Sequence, residues 1–243
     1  MGRDRTGPAS GPFFGKADDM TDDPHGQTRI LSAGAPLAQA RLAMIMLHGR
    51  GGSPEDMLGL ANHLGIPDIA IRAPEAAGNS WWPDSFLAPL TRNEPGLSSA
   101  LNRVAAIAEA LASDGFGPER TVVLGFSQGA CLAVEYAARA GTPFAGVAGL
   151  SGGLVGTADG TGLQLPELYD HVEKTFDYPG RLDGTPVLLG CHQRDPHIPL
   201  ARIRTTEEVL NRMGARVTTQ IYPGAGHGIM ADEITELRAM LSG

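Results

Sequence analysis

The segment Val122-Val123-Leu124-Gly125-Phe126-Ser127-Gln128-Gly129-Ala130-Cys131-Leu132-Ala133 changes character at its middle. It opens as a β-branched, apolar run, passes through Gly-Phe-Ser-Gln-Gly, and continues as a helix-forming run to about Arg139. The pattern predicts a buried strand over 121–125 and a helix over 128–139. A strand that feeds a helix through so tight a turn is the setting in which Gly-x-Ser-x-Gly forms a nucleophile elbow. Such a turn strains the serine backbone. Gly125 and Gly129, without Cβ atoms, let strand and helix approach closely. The Ser127 hydroxyl then stands at the strand end, beside a helix N-terminus that favours developing negative charge. In a chain with 33 glycines the pentapeptide alone is a weak signal. Its strand–turn–helix context strengthens it.

Further strands are legible on both sides. Leu42-Ala43-Met44-Ile45-Met46-Leu47 is a continuous apolar run, as expected of a strand buried on both faces. It ends abruptly in His48-Gly49-Arg50-Gly51-Gly52-Ser53-Pro54, where Ser53 is a helix cap and Pro54 occupies the first turn. Segments 69–73, 144–150, 186–191 and 216–222 read as strands. Segments 97–113, 202–213 and 229–241 read as helices, and 28–40 holds a marginal edge strand. This alternation predicts an α/β fold with a mainly parallel central sheet and helices on both faces. Residues 1–28 lack hydrophobic periodicity and any secretory apolar core, and are expected to be a disordered tail, with Met20 an alternative start. Residues 29–243 form the expected single domain.

Composition narrows the function. The 243 residues carry a net charge of −8, which argues against nucleic acid or an anionic membrane as partner. No run is long enough to span a bilayer. Cys131 and Cys191 have no metal-ligand spacing and read as core thiols of a reducing, cytoplasmic compartment.

In open parallel sheets ligands bind beyond the carboxyl ends of the strands. Four loops leave such ends, and they contain His48 to Gly52, Ser127, Asp195 and His227. A serine hydroxyl needs a base within hydrogen-bond reach to become a nucleophile. A histidine can take that proton and later return it, and a carboxylate fixes its tautomer. The chain order Ser127, Asp195, His227 is the order found in α/β-hydrolases. Asp183 and Asp159 are weaker alternatives for the acid. Among the other histidines, His25 falls in the tail, His63 and His171 look superficial, and His48, His192 and His197 lie near the expected site as candidate supporting or pocket groups. The oxyanion needs preorganised donors, for which the backbone N–H groups of Gln128 and Arg50 are the candidates. The Arg50 side chain either attracts an anionic acyl group or is simply solvated.

These motifs together resemble the phospholipase/carboxylesterase family of α/β-hydrolases. The resemblance rests on Leu47-His48-Gly49-Arg50-Gly51-Gly52, Gly125-Phe126-Ser127-Gln128-Gly129, Asp195-Pro196-His197-Ile198-Pro199 and Tyr222-Pro223-Gly224-Ala225-Gly226-His227. It implies Ser127 as nucleophile, Asp195 and His227 as its partners, and Arg50 and Gln128 as oxyanion donors. Gly52 stands where the thioesterase branch typically has an acidic residue, and His192-Gln193 replaces the usual His-Gly. These departures favour a small bacterial carboxylesterase over a lipid-protein thioesterase.

The expected activity is therefore serine carboxylesterase, with no metal or organic cofactor required and a small ester as substrate. No large insertion follows Ser151, so no full cap domain is expected and short- to medium-chain esters fit best. Segment 74–96 is a long loop holding Trp81, Trp82 and Phe86, and such loops are often functional. Together with Ile198 these aromatics are expected to line an apolar acyl pocket, or alternatively only to cover the sheet edge. The same apolar loop is a candidate homodimer surface. Alternatives are an acyl thioesterase or lysophospholipase with the same triad, and a non-catalytic hydrolase-fold binding protein.

Overall fold

The computed structural model describes residues 23–242. Among the described residues nine strands and five α-helices follow one another: β1 Ile30–Gly34, β2 Leu42–Leu47, α1 Pro54–Leu64, β3 Ile69–Pro74, α2 Gly96–Ser113, β4 Thr121–Phe126, α3 Gln128–Ala140, β5 Gly146–Leu150, β6 Gln164–Leu165, β7 His171–Val172, β8 Pro186–Arg194, α4 Leu200–Arg212, β9 Arg216–Ala225 and α5 Ala231–Ser242. Seven of the strands form one sheet in the order β1-β3-β2-β4-β5-β8-β9. Only the edge strand β1 is antiparallel to its neighbour. This is the mainly parallel α/β sheet expected from the alternating pattern, and it fits the α/β-hydrolase fold that the resemblance implies.

Side-chain alternation explains the layering. Ala43, Ile45 and Leu47 of β2 and Val123 of β4 face one core with residues of α2, α3 and α4. Met44 and Met46 of β2 and Val122 and Leu124 of β4 face the other core, with Met57 of α1 and Leu237 of α5. Strands covered on both sides in this way have no solvated face, which is why their sequences are apolar without a break. Burial of this kind contributes about 1.5–3 kcal/mol for each large aliphatic side chain.

Helix starts are set locally. Ser53 accepts the Asp56 N–H while the Asp56 carboxylate accepts the Ser53 N–H, and Pro54 fills the first turn. Helices α4 and α5 begin at Leu200 and Ala231, two residues from the expected starts in each case. β9 runs on to Ala225, beyond the expected end at Tyr222, through irregular pairing of Arg194 with Ala225.

The described residues cover only the last part of the expected tail. Residues 1–22 lie outside the described residues. Residues 23–28 pack against the body. His25 is 2% exposed, and its Nδ1 accepts the Ala77 N–H while Nε2–H donates to the Trp81 carbonyl. The correction has a simple cause: these hydrogen bonds satisfy backbone groups of a loop that has no strand partner. Between Gly156 and Thr185 the regular structure comprises the short β6–β7 pair and one turn of 3₁₀ helix, with no helical cap.

Candidate active site

β4 delivers Ser127 at φ 55°, ψ −118°, a region that is costly for a residue with a Cβ. The Ser127 N–H donates to Leu150 O, and its carbonyl accepts the Cys131 N–H. These bonds over-determine the strained turn. The flanking glycines are required by contact: a Cβ on Gly125 would lie 2.0 Å from Gly129 O, and one on Gly129 would lie 2.1 Å from Leu47 O.

β8 and β9 bring the other two residues. His227 Nδ1–H donates to Asp195 Oδ2 at 2.8 Å, and its Nε2 lies 2.8 Å from Ser127 Oγ. With the proton held on Nδ1 and donated to the carboxylate, Nε2 is left to accept from the serine hydroxyl. Asp195 is 4% exposed, and Oδ1 accepts the N–H groups of His197 and Ile198. Burial alone works to raise its carboxyl. The bonds from His227, His197 and Ile198 outweigh that and hold it below the ordinary aspartate value. Asp195 is thus ionised at neutral pH, aimed at the imidazole that it orients. Asp183 pairs with Arg181 in solvent and Asp159 is exposed, so neither reaches the site.

The loop after β2 is fastened to the loop after β3. The Gly51 N–H donates to Asn79 O, and Asn79 Nδ2 donates to Gly52 O. The Arg50 guanidinium donates to the carbonyls of Pro83 and Asp84. It is therefore neither free for an anionic acyl group nor simply solvated, as the sequence reading had allowed; it clamps the loop. Among the described residues the backbone N–H groups of Arg50 and Gln128 have no protein acceptor, which leaves both available to an oxyanion.

A cavity of about 390 Å³ opens on Ser127 and His227, walled by Trp82, Phe86, Phe126, Cys131 and Ile198. Gly49, Arg50, Ser85, Gln128 and His197 complete its lining. Three of the four expected pocket residues are there. Trp81 is not. It is fully buried behind the loop, where its indole N–H donates to His48 O at 2.8 Å. The aromatic loop is also no exposed apolar surface: Trp81, Trp82 and Phe86 are 0%, 1% and 7% exposed within the single chain. The expected exposure of these rings is corrected accordingly: they are spent on the core and supply no apolar patch for a second copy.

Sequence reasoning missed the residues that hold this wall. The Gln128 side chain accepts the Trp81 N–H and donates to Trp82 O, stitching the loop to the first residue of α3. Its place beside the nucleophile suggested only a backbone role. His48, expected from the sequence to be a supporting or pocket group near the site, is the second holder of the wall, and its partners are what the sequence did not show. Its Nε2 accepts the Ala76 N–H, so its proton sits on Nδ1 and donates to Gly49 O. Burial lowers the basicity of both His48 and His25.

Protonating either ring would set a new N–H against the Ala76 or Ala77 N–H that it now accepts. A histidine in an unfolded chain titrates near ~6.5. The depressed folded-state values mean that the stability supplied by these rings is fully present above that pH and is lost as pH falls below it. Amide-exchange protection of Ala76 and Ala77, corrected for intrinsic rates, is expected to fall between roughly pH 7 and 5. Protection that is constant over that window would contradict this role.

Cys131 and Cys191 are free and buried, and burial pushes both thiols up to about 12. They are therefore inert at neutral pH. Among the described residues no helix is long and apolar enough to cross a membrane.

Comparison with known proteins agrees with this architecture. The chain is similar to a phospholipase/carboxylesterase from Dyadobacter fermentans, at 35% identity and a TM-score of 0.79, covering 88% of this chain and 97% of that one. It is similar to esterase PE8 at 25% identity and a TM-score of 0.66, with 88% and 97% covered. It is 30% identical over 127 residues to acyl-protein thioesterase 1 of Gibberella zeae, a match covering 52% of this chain and 49% of that protein. The chain thus spans about half the length of that curated relative. A family model described as phospholipase/carboxylesterase matches residues 28–242. By that match, which runs through all four loops of the site, the chain belongs to the phospholipase/carboxylesterase family.

Proposed function

We propose that this protein is a serine carboxylesterase that hydrolyses short- to medium-chain carboxylic esters through an acyl-enzyme. The observation that carries the reading is the continuous hydrogen-bonded chain Ser127–His227–Asp195 at the mouth of an apolar cavity. His227 Nε2 takes the Ser127 proton as Oγ attacks the ester carbonyl carbon. The oxyanion accepts from the Arg50 and Gln128 N–H groups. As the carbonyl re-forms, the bond to the alkoxy oxygen breaks and the imidazolium gives it the proton. Water then repeats the sequence, deprotonated by His227, and releases the acid and Ser127. Asp195 stays ionised throughout and stabilises the imidazolium.

Cavity volume supports the chain-length assignment. About 390 Å³ lies near the lower end of the ~300–1,000 Å³ typical of small-molecule sites. A p-nitrophenyl ester series from acetate to palmitate is expected to give its highest kcat/KM at short to medium acyl chains. A preference for emulsified long-chain esters would overturn that assignment. The similarity to an acyl-protein thioesterase makes thioester hydrolysis the second reading, since the same machinery serves either leaving group. S-acyl and O-acyl substrates of matched chain length distinguish them.

A further inference from the structure

The His227 loop joins β9 to α5, and both of its ends lie closely against β8. At the first end, the buried His192 ring lies directly under Gly226, where a Cβ would come within 2.7 Å of it. At the second end stands Glu233, on the first turn of α5 and 1% exposed. Its Oε2 accepts the Met230 N–H at 2.6 Å. Its Oε1 has no partner among the described residues. That oxygen rests on the backbone of Gly190, where a Cβ would come within 1.6 Å of it. Gly190 and His192 are alternate residues of the strand that carries Asp195.

A glutamate at this helical position commonly forms half of a capping box, with an exposed carboxylate. Here Met230 offers no reciprocal hydroxyl, and the carboxyl is sealed from water. An apolar side chain would fill the same space without stranding an oxygen. We propose that Glu233 is a positioning residue for His227, its buried carboxyl seating the end of the 226–230 loop against the Asp195 strand. This rests on the esterase reading for its link to turnover. Met230 is three residues from His227, and a proton transfer over 2.8 Å tolerates little drift of the ring.

The energetics separate positioning from plain stability. Burial pushes the Glu233 carboxyl up to about 7, and it makes no ion pair among the described residues. The acidic groups around it are Tyr222 on β9, Asp232 beside it and Cys191 on β8. An acid whose folded value is raised disfavours folding once ionised, and that penalty is fully present above about 7. At pH 8 an apolar replacement therefore removes a cost while losing the grip on Met230.

The test compares wild type, Glu233→Gln and Glu233→Leu at pH 8 by Tm, by p-nitrophenyl butyrate kinetics, and by the far-downfield NMR resonance of the His227 Nδ1 proton. Glu233→Gln retains an acceptor for Met230 and is expected to keep kcat within about twofold. Glu233→Leu is expected to keep or raise Tm, lower kcat about tenfold with KM nearly unchanged, and broaden the His227 resonance. Glu233→Leu with wild-type kcat and resonance, or with losses matched by a lower Tm, would overturn the proposal. Should that variant not fold, Gly190→Ala displaces the carboxyl from below, and is expected to give the same kcat loss; an unchanged kcat would be equally contrary. Absence of ester turnover in wild type, with the resonance responding as described, would count against the esterase reading alone.

Discussion

Ser127→Ala is expected to lower kcat/KM for any accepted ester by about 10⁴-fold or more while leaving Tm nearly unchanged. The activity loss follows from removing the only atom that bonds to the acyl group. Stability should hold because the turn is fixed by its backbone bonds to Leu150 and Cys131 and by the close approach of Gly125 to Gly129. The hydroxyl contributes a single part-buried hydrogen bond to His227. Residual hydrolysis within tenfold of wild type would mean that another group attacks the ester. A collapse in Tm would mean that the hydroxyl, rather than the main chain, maintains the elbow.

The largest effect on stability is expected from Arg202→Met. Arg202 is fully buried on α4. One of its guanidinium nitrogens donates to Leu154 O and Gly156 O, each at 2.8 Å, and another to Glu173 Oε1 at 2.7 Å. Burial makes the ion costly, and its pKa is lowered accordingly. Removing only the cation strands two buried carbonyls and a partly buried carboxylate, which costs about 3–5 kcal/mol. For a chain of this length each kcal/mol is worth ~2–4 °C, so Tm should drop on the order of 10 °C. The damage should also reach the pocket. Gly156 N–H donates to Phe86 O and Thr157 Oγ1 donates to Leu87 O, so residues 154–157 brace a cavity wall from behind. KM should rise along with the loss of stability. A Tm within ~2 °C of wild type would show that the segment stands without Arg202.

The parts of this protein that were legible in its sequence are those with a local signature. β2 and β4 announce themselves by unbroken apolar runs, because both of their faces are covered. Ser127, Asp195 and His227 are legible by type and chain order, each in a loop that leaves a strand end. What the sequence hid depends on contacts between distant segments. His25 reaches a carbonyl 56 residues away, and nothing in its own surroundings hints at a partner. Trp81 and Trp82 are adjacent and chemically identical, yet one bonds His48 behind the loop and the other walls the cavity. Arg50 looked like a solvated charge because its acceptors, two main-chain carbonyls, leave no mark in composition. Arg202 reads as one more charged residue on an amphipathic helix, and only the fold brings residues 154–156 to it.

The central claim is that Ser127 is made nucleophilic by His227. Treatment with a serine-directed phosphonate, followed by intact-mass analysis and peptide mapping, tests it most directly. One adduct per chain is expected, on Ser127, forming at least a hundredfold more slowly in His227→Ala. An adduct on another residue, or ester hydrolysis that persists once Ser127 is fully labelled, would contradict the account.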